Sequence, residues 1–350
     1  MEQINFLVGS EKRFYDWISG LNEKDKVALL SHVDSDGVAS AKIVNEVVDA
    51  DILKLVNYEE LNDELILRLK SQKIKRLILT DLAMDDMKFV KKAGKEFDVL
   101  WIDHHKIMED VNSDKIVYLN PGGNNLYCAA YLCYYLFSKI QNLEDHDWLV
   151  ACACLSDFTV YKNRKWMEEI FEKYNDKTKI EPMSLENGPI QNLKRTLEFA
   201  IIYFKTKKEL DKILNLIGKN INGMKILESY AREVENEINS VVKRFEKEKE
   251  EINGRLVFKF EPKFEIGSLA STTISNMKSP DKTVILIRPI DEKMCAVSMR
   301  RQNSGEDMDK LMKNALQGLE NSGGGGHIPA AGGHFLRKDL EKFKEKLKRL

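Results

Sequence analysis

The sequence predicts an α/β protein: a mainly parallel sheet domain, a helical linker and a smaller α/β C-terminal domain. Three observations carry that reading. Short apolar runs alternate with helix-length segments over roughly the first 120 residues, the pattern of a mainly parallel sheet covered on both faces. A long stretch with apolar residues spaced by three and four comes later, and after Gly254 strand-like runs return. At 350 residues the chain also exceeds what one ordinary core accommodates.

The first run, Val27–Ser31, breaks at His32-Val33-Asp34-Ser35-Asp36-Gly37 and gives way to a helical pattern over Val38–Val48. Ile52–Val56 reads as a second strand. Leu77–Thr80 is a third, ending at Asp81, with a helix over Met84–Ala93. Val99–Ile102 is a fourth, ending at Asp103-His104-His105, and Ile116–Leu119 a fifth. The texture is helical from Leu126 to Phe204. Over Met224–Glu251, the residues Leu227, Tyr230, Val234, Ile238, Val241 and Phe245 mark one face of a long amphipathic helix. It reads as a connector packed on its neighbours, because so short a seam rarely stands alone. Beyond it come strands over Leu256–Phe260, Thr283–Arg288 and Met294–Met299, a helix near Asp307–Leu319, a glycine run and a final helix over Leu336–Leu350. The expected domains are therefore residues 1–200, a linker over 201–253 and a second domain over 254–350.

Composition narrows the class. Hydrophobic residues are 43% and charged residues 32% of the chain, which fits a globular protein with a heavily charged surface. No apolar run reaches the ~18 residues of a membrane span, and the N-terminus lacks the basic and apolar regions of a signal peptide. The five cysteines show no CxxC spacing and read as buried filler, so a cytoplasmic protein is expected. From Gly254 onward 18 Lys/Arg face 12 Asp/Glu, a balance of +6 in a chain of net charge −1. An acidic half suited to cations and a basic half suited to an anionic substrate is one reading; scattered solvated charge is the other.

Four separated clusters carry the chemistry: His32, Asp34 and Asp36; Asp81; Asp103, His104 and His105; and Asp157, inside the apolar segment CACLSDFTV. Three of them fall at strand ends, where ligands gather in parallel sheets. In an extended segment His32, Asp34 and Asp36 would project to one side. Imidazoles with several carboxylates and no thiolate spacing suit Mn²⁺ or Mg²⁺ better than structural zinc. Carboxylates crowded into one crevice repel one another unless cations sit between them. Each piece also has an ordinary structural reading. HVDSDG is equally a turn or a helix N-cap, and Asp81 in isolation reads first as the cap of the next helix. Asp157 is costly to bury unpaired and demands some partner.

Together, HVDSDG, Asp81, Asp103-His104-His105 and Asp157 resemble the four motifs of the DHH phosphoesterase family. The stretch GGGGHIPAAGG over 323–333 is similar to the hallmark of that family's C-terminal DHH-associated domain. The single residue between His32 and Asp34 is closer to the DxDxDG of RecJ-like nucleases than to the spacing of many oligonucleotide-degrading members. The Lys, Glu, Ile and Asn usage resembles that of archaeal relatives. The resemblance implies two metal ions, Mn²⁺ with Mg²⁺ as the alternative. His32 and Asp34 would bind one, Asp36, His104 and Asp157 the other, and Asp81 would bridge them. By the same resemblance Asp103 orients the histidines and His105 faces the substrate phosphate, so Asp103 and His105 are the expected catalytic pair.

In the C-terminal part, Gly324, Gly325, Gly326 and His327 are the expected substrate-binding residues. Glycines there admit positive φ and close backbone approach to an anion, and His327 can donate to a phosphate. Arg300, in Ser298-Met299-Arg300, resembles the family's phosphate-gripping arginine, with Arg301 as its neighbour. The final helix, with seven basic and three acidic residues, is either part of a nucleic-acid path or an ordinary solvated helix. The implied activity is a Mn-dependent hydrolase: an exonuclease of single-stranded DNA or RNA, working by attack of an activated hydroxide on the phosphodiester. The alternatives are a phosphodiesterase of short oligonucleotides, cyclic dinucleotides or nucleoside bisphosphates, and a non-catalytic nucleic-acid-binding replication or repair protein. The resemblance leaves a replication or repair protein as a further partner.

Overall fold

Five of the apolar runs form strands β1 (Val27–His32), β2 (Ile52–Val56), β3 (Arg76–Thr80), β4 (Asp98–Ile102) and β5 (Ile116–Leu119). They make one sheet in the order β2-β1-β3-β4-β5, and every pair is parallel. The computed structural model describes residues 2–350 except 123–125, 183, 185 and 304. The chain divides into two units, Met1–Ala231 and Arg232–Leu350.

The inner strands are apolar almost throughout because both faces of the sheet are covered. Alternate residues serve opposite cores. Leu29, Ile78, Leu100 and Ile102 pack under a layer that includes Val38, Leu132 and Leu149, from the helices Ser35–Val48, Ala129–Phe137 and Asp147–Ser156. Leu30, Leu79, Val99 and Trp101 pack on the other side with Leu65, Leu69, Phe89 and Val90, from Asp63–Ser71 and Lys88–Glu96. The edge strand β2 is only partly buried at its start. Because the chain steps from β1 to β2 on one side and to β3 on the other, a crevice opens at the carboxyl ends of β1 and β3.

The second unit holds a six-stranded sheet of β6 (Glu250–Ile252), β7 (Arg255–Lys259), β8 (Val284–Pro289), β9 (Met294–Arg300), β10 (Gly323–His327) and β11 (Ala330–Leu336). Its order is β10-β11-β9-β8-β7-β6, antiparallel except for the β7–β8 pair. One face packs Val257, Ile285, Val297, Met299 and Phe335 on Leu311, Met312, Phe343 and Leu347, from the helices Met308–Leu316 and Leu340–Arg349. The long amphipathic helix runs over Lys225–Glu248. It begins in the first unit and continues into the second.

Several expectations are corrected. Gly323–Gly326 is a strand, not a positive-φ loop; none of these glycines lies in the left-handed region. They are needed for close packing: a Cβ on Gly324 would lie 2.7 Å from Gly332 O and Gly333 Cα, and one on Gly326 2.2 Å from Ala330 O. The last helix begins only at Leu340, because 330–336 is already spent on β11. The helix Gly267–Met277 escapes the sequence pattern because it is rich in Ser and Thr, weak helix formers, yet the parallel β7–β8 connection requires such a crossover.

Candidate metal centre

The centre is assembled at the carboxyl edge of the parallel sheet. His32 is the last residue of β1, and the helix Ser35–Val48 starts three residues later with Asp34 as its N-cap. The turn is so tight that a Cβ on Gly37 would sit 2.2 Å from His32 O, which accounts for glycine there. The N-cap reading of Asp34 is realised, and its second oxygen is left to face His32. Its Oδ1 accepts from Gly37 N at 2.9 Å and its Oδ2 lies 2.8 Å from His32 Nδ1. Because the helix begins this early, His32, Asp34 and Asp36 do not project to one side as an extended segment would. Asp36 instead turns toward the helix Ala129–Phe137, where its two oxygens accept from Ala129 N and Ala130 N at 2.7 and 2.8 Å.

Asp81 follows β3 with φ at 56°, a left-handed turn that Asp tolerates better than most residues. Asp103 and the histidines follow β4. Asp157 is the C-cap of the helix Asp147–Ser156 rather than a residue within it. Contacts run from one candidate ligand to the next. Asp81 Oδ2 is 3.7 Å from His32 Nδ1, Asp81 Oδ1 is 3.4 Å from His104 Nε2, and His104 reaches Asp36 Oδ2 and Asp157 Oδ2, each at 3.6 Å. Three groups able to hold an ion result: His32, Asp34 and Asp81; Asp36, His104 and Asp157; and Asp81, His104 and His105. All six residues expected to bind metal are therefore brought together. Among the described residues, the buried Asp81 Oδ2, His104 Nε2 and Asp157 Oδ2 have no hydrogen-bond partner. Each such atom costs about 1–3 kcal/mol unless something else satisfies it, and a cation fits all three.

Electrostatics agree. Burial, then the charges of Asp36, Asp34 and Asp103, hold the Asp81 carboxyl well above its usual range. Burial and the same neighbours push Asp157 up to about 8, and burial raises Asp36. Desolvation would raise Asp34 as well, but His32 and the Gly37 N–H outweigh it and hold it down at about 2. A crowded set of carboxyls that resist ionising is what added cations relieve.

Asp103 accepts from His105 N at 3.1 Å and lies 2.8 Å from His105 Nδ1. It thus holds His105, and the contacts of His104 are to the other carboxylates. Burial would lower the His105 pKa, yet the bond and charge of Asp103 raise it above the usual imidazole value. The sequence reading passed over Asn120 and Tyr58. Asn120 Nδ2 donates to His105 O at 2.9 Å and to Asp103 Oδ2 at 3.4 Å. The Tyr58 ring stacks on His32 at 4.8 Å between centroids. Both come just after a strand of the same sheet, the position that had singled out Asp81 and Asp103.

In the second unit the register sets His327, Ala330 and Arg300 in one row across β10, β11 and β9. Arg300 is held by Ser268 Oγ at 3.0 Å and Thr272 Oγ1 at 3.4 Å, on the helix Gly267–Met277. Gly325, Gly332 and Ser298 form the next row on that face. A Cβ on Gly332 would meet nothing within 4 Å, so the backbone is open to close approach there. Gly324 and Gly326 face the opposite, packed side.

Residues 26–156 match the N-terminal domain of the DHH family, and residues 257–350 match the DHHA1 domain. No curated protein matches the chain in sequence. Among solved structures, the exonuclease RecJ bound to manganese is similar over 99% of this chain and 94% of that one, with a TM-score of 0.65 and 14% identity. CDC45 from Entamoeba histolytica is similar over 97% and 98%, with a TM-score of 0.57 and 10% identity. The pGpG-specific phosphodiesterase PggH from a Vibrio species is similar over 93% and 98%, with a TM-score of 0.54 and 12% identity. The fold is thus RecJ-like, and the two domains together make the chain a member of the DHH family, whose members are usually metal-dependent phosphoesterases.

Proposed function

We propose that the protein is a divalent-metal phosphodiesterase that hydrolyses single-stranded DNA or RNA from an end, with Mn²⁺ as its metal. The observation that carries this reading is that buried ligand atoms on Asp81, His104 and Asp157 lack hydrogen-bond partners within overlapping groups able to hold an ion, in a crevice of repelling carboxylates. In this reading His32 and Asp34 would hold one cation, Asp36, His104 and Asp157 would hold the other, and Asp81 would serve both. Asp36 keeps lone pairs for a metal although both of its oxygens already accept backbone N–H groups. Cations bound there would supply neutralisation of phosphate charge and activation of a water nucleophile. The chain's own part is to fix geometry. Asp103 and Asn120 lock His105 in place beside a phosphate oxygen, and Arg300 and His327 offer donors to a second phosphate.

The test is incubation with Mn²⁺ and DNA and RNA labelled at the 5′ or the 3′ end. A ladder of single-nucleotide steps is expected, lost with chelator. Internal fragments only, or cleavage that survives metal removal, would overturn the reading. A second reading, a phosphodiesterase of very short oligonucleotides, draws on the likeness to PggH and on the cleft described next; cleavage of dinucleotides with long strands left intact would select it.

A further inference from the structure

A cleft of about 930 Å³ opens beside the metal centre, and His105 and Tyr58 stand in its wall. Its volume falls within the range of ligand sites, roughly 300–1,000 Å³. Leu61, Met84 and Phe89 supply apolar lining, and the half-exposed ring of Tyr58 supplies an aromatic face. That combination suits a flat, partly apolar ring system such as a nucleobase. Its rim has the opposite preference from a phosphate site. Asp63, Glu64, Asp85 and Asp86 stand there against only Lys88 and Lys92. Both lysines are already engaged, Lys92 with Asp63 at 2.7 Å and Lys88 with Asp86 at 2.8 Å. Glu64 and Asp85 add two further negative charges.

We propose that this cleft is the subsite for a terminal nucleoside bearing no further phosphate. The proposal rests on the reading of the centre as a phosphodiesterase site and adds to it which part of the substrate lies where. A strand running through the cleft would carry one phosphate per residue past a rim with two uncompensated carboxylates, Glu64 and Asp85; a nucleoside at the chain end carries none. The far end of the ligand series contrasts with this one. Tyr58 leans on His32, whereas Asp157 is followed by the exposed Phe158 and Tyr161 and by Lys162 and Lys165, aromatic and basic residues of the kind that carry single strands. The scissile phosphate at the centre thus has a nucleoside on the Tyr58 side and any remaining phosphates on the Asp157 side.

The experiment compares three dinucleotides with Mn²⁺: one without terminal phosphate, one with a 5′-phosphate and one with a 3′-phosphate. The full-length protein is set against a Glu64→Gln, Asp85→Asn double variant, which touches none of the candidate ligands. One of the two phosphorylated forms is expected to be cleaved about tenfold more slowly than the other, and the double variant should narrow that gap to about threefold or less. Equal rates for the two forms, or a gap that the double variant leaves unchanged, would overturn the subsite. If wild type cleaves none of the three, the short-oligonucleotide reading falls, and the phosphodiesterase reading falls with it only if labelled strands are also left intact. The subsite is then decided by calorimetric affinities of the same dinucleotides, where the same ranking and narrowing support it and their absence overturns it.

Discussion

The two units place their polar chemistry in opposite ways. In the first, the candidate ligands stand just beyond the carboxyl ends of buried parallel strands, or on the helices that flank them, and converge on a crevice. The strands are committed to packing on both faces, so only the residues after them are free, and several of those atoms are left buried and unsatisfied. In the second, the candidate anion-binding residues lie on the face of a mostly antiparallel sheet. There Arg300 already has Ser268 and Thr272 as partners, and the glycines are divided between a packed and an open side. The contrast teaches that the first site is incomplete as protein alone, while the second is stable without a ligand. Loss of a group should therefore cost metal and chemistry in the first unit and only substrate binding in the second.

The sharpest way to break that comparison is Asp81→Ala. Because Asp81 stands in two of the three groups able to hold an ion and is shared by both cations in the proposed function, activity should fall by at least about a thousandfold, with loss of bound Mn²⁺ read by elemental analysis. Retained metal with lost activity would show that Asp81 serves chemistry alone. Next in size, Arg300→Ala and His327→Ala should each lower kcat/KM by roughly tenfold to a hundredfold, the value of a charge-assisted phosphate contact, with metal content unchanged. If either variant lost metal, the separation of roles between the units would be wrong.

The pH dependence of stability tests the first unit by itself. Asp157 has a folded pKa of about 8 against an ordinary 3.8, and Asp81 and Asp36 are raised as well. Such a carboxyl keeps its proton in the fold and sheds it on unfolding. Its contribution is fully present below the ordinary value and is lost as pH rises through the folded pKa. Metal-free protein should therefore melt at a lower temperature at pH 8 than at pH 6, and Mn²⁺ should raise the melting temperature more at pH 8. A metal-induced shift that is equal at the two values would remove the electrostatic argument.

Smaller effects sharpen the account of the glycine hairpin. Gly324→Ala should destabilise the protein by about 1–3 kcal/mol in a denaturant titration, because the added Cβ meets backbone on the neighbouring strand. Gly332→Ala should leave stability nearly unchanged and weaken only substrate binding. The smallest effect is expected for Lys342, Lys346 and Arg349 changed together to Gln. In the last helix Lys342, Lys344 and Lys348 pair with Asp339, Glu250 and Glu345, so part of its charge is already committed within the protein. A modest loss on strands of ~20 nucleotides at low salt, with none on dinucleotides, is the outcome consistent with a peripheral contact.

Much of the first unit is legible in the sequence, and the reason is local. A buried parallel strand must be an apolar run, and the residues that end it are the ones free to do chemistry, so Asp81 and Asp103-His104-His105 announce themselves. The glycine motif was visible too, but its conformation was not: four consecutive glycines are compatible with a loop, and only the proximity of β11 and of the helix Met308–Leu316 makes them a strand. What the sequence by itself determined was the identity of the candidate ligands and the alternation of strands and helices that carries them to one edge. The tertiary structure alone decided how they divide: Asp36 turned to the N–H groups of Ala129 and Ala130, Asp103 committed to His105, and Tyr58 against His32. Those choices depend on which helix start or ring lies within ~3–5 Å across the crevice, a distance between segments far apart in the chain that no local pattern encodes.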